Sequence, residues 1–251
     1  MNQGSRETRG PCPDVRALLF DTFGTVVDWR EGIAREVAPF FAQYGLRGDA
    51  RQFADAWRAR YQPSMETIRS GQRPFTRLDT LHRENLEFVL GRWGADIAAI
   101  DPSDLDNINR AWHRLDPWPD SIEGLGRLRQ RFIVAPLSNG NIALLTNMAK
   151  RAGLPWDCIL GAEVVQAYKP QPEAYLKTAD VLGLLPNQCM MIAAHNDDLA
   201  AARKAGLRTA FIPRPTEHGS HQKTDLAAES DWDVVAGDFI GLADALVPRN
   251  A

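Results

Sequence analysis

The chain has 251 residues, 44% hydrophobic and 24% charged, with a net charge of −3 at neutral pH. That suits one large globular domain, or a core with a smaller insertion, and it supplies enough apolar material for a substantial interior. The mildly acidic balance leaves no basic field to argue for a nucleic-acid or acidic-membrane partner, and no apolar run approaches the roughly 20 residues of a membrane span.

Residues 1–14 are polar, with Gly, Pro and charges but no apolar stretch. They read as a flexible N-terminus, neither signal peptide nor anchor. Three cysteines, Cys12, Cys158 and Cys189, are odd in number and lack metal-type spacing, which favours a reducing cytoplasm over a disulfide framework. The run Ala17-Leu-Leu-Phe20 then reads as a buried strand delivering Asp21 to its C-terminal end, followed by a compact Thr-Phe-Gly-Thr turn. Ligands of open α/β sheets sit outside the carboxyl ends of strands, so Asp21 is the first candidate for chemistry.

For about ninety residues the apolar spacing is then helical. Ile33, Val37, Phe40, Phe41 and Tyr44 share one face and Gly45 is the expected stop. Phe53, Ala56, Trp57 and Tyr61 predict a second helix, ended near Pro63. Leu78 to Trp93 carry a third, and Leu105, Ile108, Trp112 and Leu115 a fourth, closed by Pro117-Trp118-Pro119. This segment, 32–117, reads as a helical cap inserted after the first strand of a core formed by 15–31 and 118–251.

From Asp120 onward strand and helix alternate. Strands are expected at 132–137, 158–160, 190–194, 209–212 and 232–235, with helices at 142–152, 173–182 and 239–246 and another up to Ala205. The two prolines of Tyr168-Lys-Pro-Gln-Pro172 make that stretch a loop. Alternation of this kind implies an α/β class with a doubly wound, parallel, Rossmann-like sheet.

Polar residues gather where these strands end: Asp21, then Ser138-Asn139, then His195-Asn196-Asp197-Asp198, with Lys169 and Tyr175 arriving from the Pro-rich loop and its helix. A carboxylate beside a lysine, with small donors and a second carboxylate, fits nucleophilic catalysis by Asp21. Lys169 would keep it ionised.

Phe20-Asp-Thr-Phe-Gly-Thr-Val26, Leu137-Ser-Asn-Gly140, Tyr168-Lys-Pro170 and the acidic segment after Ala194 resemble, in order, the four motifs of the haloacid dehalogenase superfamily. Within it the chain is similar to the type II 2-haloacid dehalogenases, whose helical cap supplies an arginine; Ala56-Trp57-Arg58 matches that context, and Lys169 with Tyr175 matches a lysine–tyrosine pair. Superfamily phosphatases place a second aspartate two residues after the nucleophile, as the acid for an alkoxide leaving group. Here that residue is Phe23. A halide leaves without a proton. Counting back from Gly206, Asp198 falls on one usual acidic position and Ala193 on the other, which weakens a magnesium site because Mg²⁺ wants several hard oxygen ligands; Asp197 is the residue that could compensate.

The resemblance implies a hydrolase needing no cofactor or metal. Asp21 attacks C2 of a small 2-haloacid (haloacetates, fluoroacetate among the candidates, and L-2-haloacids), expels halide and forms an ester that water then hydrolyses. Arg58 and Asn139 are the candidates for the halide, Thr25 and Ser138 for positioning, Phe23 and Tyr175 for the substrate wall. Lys169 orients Asp21. The hydrolytic water falls to Asp198 by register, or to His195 or Asn196. A homodimer is the assembly the family implies. Trp57, Trp93 and Trp112 read as core, Trp29 as a second-rank pocket residue, and His82, His113, His218 and His221 as structural or surface groups. The alternatives are a magnesium-dependent phosphatase on the same scaffold and an idle binding protein.

Overall fold

The computed structural model describes residues 12–247; residues 1–11, most of the stretch read as a flexible N-terminus, lie outside them. β1 (Ala17–Phe20) has every side chain buried, and a two-residue strand, β2 (Val27–Asp28), follows the Asp21 turn. The helical segment then runs through α1 (Trp29–Tyr44), α2 (Ala50–Ala59), α3 (Tyr61–Arg69), α4 (Leu78–Arg92) and α5 (Pro102–Asn109). Asp28 caps α1 by accepting from the Glu31 N–H, and Gly45 ends it at φ 63°, a left-handed backbone that glycine adopts without a Cβ clash. Pro63 does not end a helix as the sequence suggested. It sits in the first turn of α3, where a proline costs little because the first N–H groups of a helix have no internal partner.

The chain re-enters the core through β3 (Asp116–Pro117), which pairs antiparallel with β2. Both passages between core and helical segment are therefore hydrogen-bonded to each other. No strand was expected there, since two residues leave no alternation to read.

The remainder alternates as expected: α6 (Ser121–Leu128), β4 (Ile133–Ser138), α7 (Ile142–Ala152), β5 (Leu160–Gly161), a short α8 (Ala162–Val165), α9 (Pro172–Val181), β6 (Cys189–Ala193), α10 (Asn196–Lys204), β7 (Arg208–Phe211), β8 (Val234–Val235) and α11 (Phe239–Leu246). The six core strands are parallel in the order β5-β4-β1-β6-β7-β8. β1 lies at the centre, and the chain winds outward from it first one way and then the other. The fold is thus the doubly wound α/β core with helices above it forming a cap.

Period-two alternation divides the interior in two. Leu18, Phe20, Val134, Met190 and Ile192 face one cluster with α6, α7 and α11, while Ala17, Leu19, Ala135, Met191 and Ala193 face another with α9 and α10. Burial on both faces explains why these strands read as continuous apolar runs. Each large side chain fully buried here contributes about 1.5–3 kcal/mol. Among the described residues no helix is long and apolar enough to cross a membrane.

Candidate active site

Asp21 is the first residue beyond β1, and its N–H donates to the Ile192 carbonyl at 3.0 Å. It stands at the C-terminal edge of the central strand, where the winding direction reverses, the usual ligand position in such sheets. Thr25 holds it from below: the hydroxyl donates to Asp21 Oδ2 at 2.7 Å and accepts from the Ala194 N–H at 2.9 Å.

The rest of the site is a chain of alternating donors and acceptors. Lys169 Nζ lies 2.9 Å from Asp21 Oδ1 and also pairs with Asp198 Oδ2. Asp198 Oδ1 accepts from the Tyr175 hydroxyl at 2.6 Å. On the other side, His195 Nδ1 is 3.2 Å from Asp21 Oδ2, and its Nε2 is 2.8 Å from Glu217 Oε2. Glu217 Oε1 in turn accepts from Trp29 Nε1 at 2.8 Å. Asn139 places the lysine by accepting from the Lys169 N–H at 2.8 Å.

These contacts set the protonation states. Burial alone raises the Asp21 carboxyl, but the Lys169 ammonium and the His195 imidazole outweigh it and hold Asp21 well below the usual carboxylate range. Burial alone lowers Lys169, yet Asp198 and Asp21 keep it protonated above its ordinary value. His195 follows the same pattern: burial pulls it down, while Glu217 and Asp21 lift it well above the usual imidazole value. Burial raises Glu217, and His195 more than reverses that. Burial, reinforced by Asp198, raises the Tyr175 hydroxyl, so it stays a donor.

The helical segment covers this edge and contributes Arg58 from α2. Its guanidinium carbon lies 4.1 Å from the centre of the Tyr61 ring, 5.4 Å from Trp29 and 5.9 Å from Phe23. Nη1 is buried and has no hydrogen-bond partner among the described residues. A buried cationic donor left unpaired is costly unless an anion completes it. Arg58 and Tyr61 from above, with Asp21, Asn139, Lys169 and His195 from below, wall a cavity of about 690 Å³.

Several sequence-stated roles change. Asn196 is turned away from Asp21: its amide group donates to Asp225 Oδ1 and the Ala227 carbonyl and accepts from the Glu229 N–H and Trp232 Nε1. It fastens the loop before β8 and is in no position to hold water at the nucleophile. Ser138 is buried and accepts from the Gly140 N–H, so it shapes the turn after β4 instead of lining the cavity. Phe23 is buried in an aromatic cluster with Tyr61, His82 and Trp112, supporting Arg58 from behind. Thr25 is fully buried and touches Asp21 only from beneath. His218, read as structural or surface, reaches the cavity wall beside Glu217. Trp29 is the donor that fixes Glu217.

Glu217 and Tyr61 were missed. In the sequence Tyr61 shows only as a helix-face residue. Glu217 lies in an irregular stretch after β7, where no periodicity marks a residue; the one available signal was that this stretch leaves the same C-terminal edge as Asp21.

The carboxylates do not fit a bound cation. Lys169 already fills the space between Asp21 and Asp198, Ala193 offers no oxygen at the strand end, and among the described residues no cluster of three or more His, Cys, Asp or Glu could hold a metal ion.

Comparison with known proteins gives a consistent set of relatives. The sequence profile of the haloacid dehalogenase-like hydrolases matches residues 15–206. The (S)-2-haloacid dehalogenase 4A of Burkholderia cepacia is 30% identical over 80% of this chain and 84% of its own length. The crystal structure of a defluorinating L-2-haloacid dehalogenase superposes with a TM-score of 0.92 at 56% identity, covering 95% of this chain and 98% of that one. That of a second L-2-haloacid dehalogenase gives 0.88 at 45% identity, covering 92% and 98%.

Proposed function

The chain belongs to the haloacid dehalogenase-like hydrolases, and from that premise we propose that it cleaves the carbon–halogen bond of small 2-haloalkanoic acids by way of an ester on Asp21. The observation that carries the reading is the opposition of two groups across one cavity: a buried carboxylate held ionised by Lys169, and a buried Arg58 Nη1 with no partner among the described residues. A nucleophile on one side and an anion receptor on the other is what displacement of a halide needs. The likeness to two L-2-haloacid dehalogenases supports the substrate class.

In the first step an Asp21 oxygen attacks C2 from behind the carbon–halogen bond, the carbon inverts, and the halide departs toward Arg58. Donors aimed at the charge as it develops lower the barrier more than contacts made equally in the ground state. Asn139, which lines the same cavity, is the second candidate donor. Lys169 orients Asp21, and Asp198 and Tyr175 hold Lys169 in turn. In the second step water attacks the ester carbonyl and releases the 2-hydroxy acid. No proton is needed for the first departure, which suits Phe23 at the place where a phosphatase carries its acid.

Residues 32–117 act as the lid domain on the core of 15–31 and 118–251, and L-2-haloacids and haloacetates are the substrates. The likeness to a defluorinating dehalogenase at 56% identity supports fluoride as one of the leaving groups. The free cysteines, Cys12, Cys158 and Cys189, suit a cytoplasmic enzyme. A homodimer is part of the same reading, and light scattering of the purified protein tests it.

The test is halide release, read by ion chromatography, from fluoroacetate, chloroacetate and each enantiomer of 2-chloropropionate, with and without EDTA. Release that EDTA leaves unchanged, with the L enantiomer preferred, supports the reading. No halide from any of the four, with EDTA-sensitive phosphate release from a sugar phosphate, overturns it in favour of a phosphatase.

A further inference from the structure

The second half of the reaction needs a group that takes a proton from water at the Asp21 ester, and the obvious candidates are occupied. Both oxygens of Asp198 are engaged, one by Tyr175 and one by Lys169. Thr25 is locked between Asp21 and the Ala194 N–H. Asn196 faces the wrong way. What remains against the Asp21 carboxylate is His195, whose other ring nitrogen rests on a carboxylate that the cavity hardly needs for binding an acid.

We propose that His195 and Glu217 form the water-activating pair: His195 Nδ1 receives the proton from the water that attacks the ester, and Glu217 positions the imidazole through Nε2. The inference rests on the reading that Asp21 carries the ester. Glu217 is a built feature. Its loop is anchored three residues earlier by Arg214, which grips both oxygens of Asp120 at 2.8 and 2.9 Å and donates to the Thr25 carbonyl at 2.9 Å. Trp29 Nε1 fixes Oε1. Gly24, in the turn just after Asp21, makes room: a Cβ there would lie 2.0 Å from Glu217 Oε1. The carboxylate is 1% exposed. A second carboxylate brought this close to an anionic nucleophile, in a site that binds anionic substrates, is an electrostatic cost unless the cation between them has a task.

The pair also has the right polarity. With Nε2–H donated to Glu217, the Nδ1 lone pair faces Asp21, the arrangement that makes a histidine a directed base. In the resting site Nδ1 is protonated and donates to the Asp21 carboxylate. When Asp21 becomes an ester it loses its charge, the Nδ1 proton loses its acceptor and passes to solvent, and a neutral imidazole is left beside the ester carbon. Water oxygen then bonds to Cγ as one water proton moves to Nδ1. The bond from Cγ to the product oxygen breaks, and the other proton leaves on the hydroxyl of the 2-hydroxy acid. Asp21 returns as carboxylate and His195 as imidazolium, so the balance closes. The charged groups around His195 are Asp21 from the end of β1, Lys169 beyond it, Glu217 and His218 from the loop after β7, and Arg58 from α2 acting on Glu217.

The experiment separates the two half-reactions in Glu217→Gln and His195→Asn. Chloride is followed by rapid quench through the first turnover and into the steady state on chloroacetate, and the quenched protein is weighed intact. Expected is a first-turnover release slowed much less than the steady-state rate, which falls by roughly 10²–10³-fold, and accumulation of the carboxymethyl ester mass, which a merely structural change would not produce. Steady-state turnover near wild type in both variants without the ester overturns the pair. So does loss of first-turnover chloride with circular dichroism unchanged. If Glu217→Gln does not fold, His195→Asn and His195→Gln carry the test. Wild-type protein that releases no halide from any haloacid removes the parent reading, whereas wild-type release with no ester in the variants removes only the pair.

Discussion

Lys169 Nζ lies 2.9 Å from Asp21 Oδ1 and pairs on its far side with Asp198, so one buried ammonium is shared by two buried carboxylates. The arrangement fixes both the charge and the direction of Asp21. A carboxylate this deep would otherwise favour its neutral form.

Removing that cation is expected to disable Asp21 in two ways. In Lys169→Met, kcat/KM on chloroacetate is expected to fall on the order of a hundredfold or more through lost orientation. Burial is then opposed by His195 without Lys169, so the acidic limb of the pH profile moves upward from its wild-type position. A Lys169→Met profile superimposable on wild type would show that Asp21 does not depend on this contact.

Arg58 offers Nη1 as a buried donor without a partner among the described residues. Arg58→Ala is expected to lower kcat/KM by roughly 10²–10³-fold. Arg58→Lys is expected to restore little, because an ammonium lacks the flat face that stacks 4.1 Å above Tyr61. Chloride release across the series checks both points.

Gly24 has φ 92°, and a Cβ there runs into the Glu217 carboxylate. Gly24→Ala is expected to cost about 1–3 kcal/mol of stability from the backbone alone. It is also expected to slow ester hydrolysis more than first-turnover halide release. Urea unfolding and the quench experiment read the two effects separately.

Asp120 and Arg214 are 8% and 7% exposed and meet through two hydrogen bonds. Arg214→Met leaves Asp120 buried without its cation and is expected to cost about 3–5 kcal/mol. Burial raises Asp120, but Arg214 and the Phe239 N–H bring it below its ordinary value. Its contribution is therefore complete above about pH 4 and fades as pH falls through the lower folded value. Urea midpoints from pH 7 down to pH 3 are expected to slope more steeply in wild type than in Arg214→Met.

His82 also loses stability in acid, but because burial keeps it neutral instead of charged. Burial among Trp57, Tyr61 and Trp112, with neither ring nitrogen partnered among the described residues, lowers it to about 3. The unfolded chain takes up the proton near pH 6.5 and the folded protein does not, so stability is lost at about 1 kcal/mol per pH unit below that point. His82→Leu is expected to remove this slope between pH 6 and 4, measured by urea unfolding.

What the sequence made legible follows from what periodicity can carry. β1 announces itself because a central parallel strand is buried on both faces, and its end locates Asp21. The helices over Ile142–Ala152 and Phe239–Leu246 could be read to the residue from apolar spacing and their flanking turns. Pro63 misled because the same ring that stops one helix opens the next. Asn196 misled because counting residues places a backbone and not the direction of a side chain. Glu217 was beyond reach for a different reason: its partner Trp29 is 188 positions away, and nothing local records a contact made by folding.

The paired crossing at Val27–Asp28 and Asp116–Pro117 ties both passages of the helical segment together at one edge of the core. The opposite rim is fastened by Arg69 Nη1 to the Lys169 carbonyl at 3.0 Å, by Gln171 to the Arg69 carbonyl, and by the Tyr168 hydroxyl to the Thr76 carbonyl. The contact that holds the helical segment to this rim is thus made to the backbone of the residue that aims the nucleophile. One set of hydrogen bonds therefore both roofs the cavity and steadies the lysine that orients Asp21.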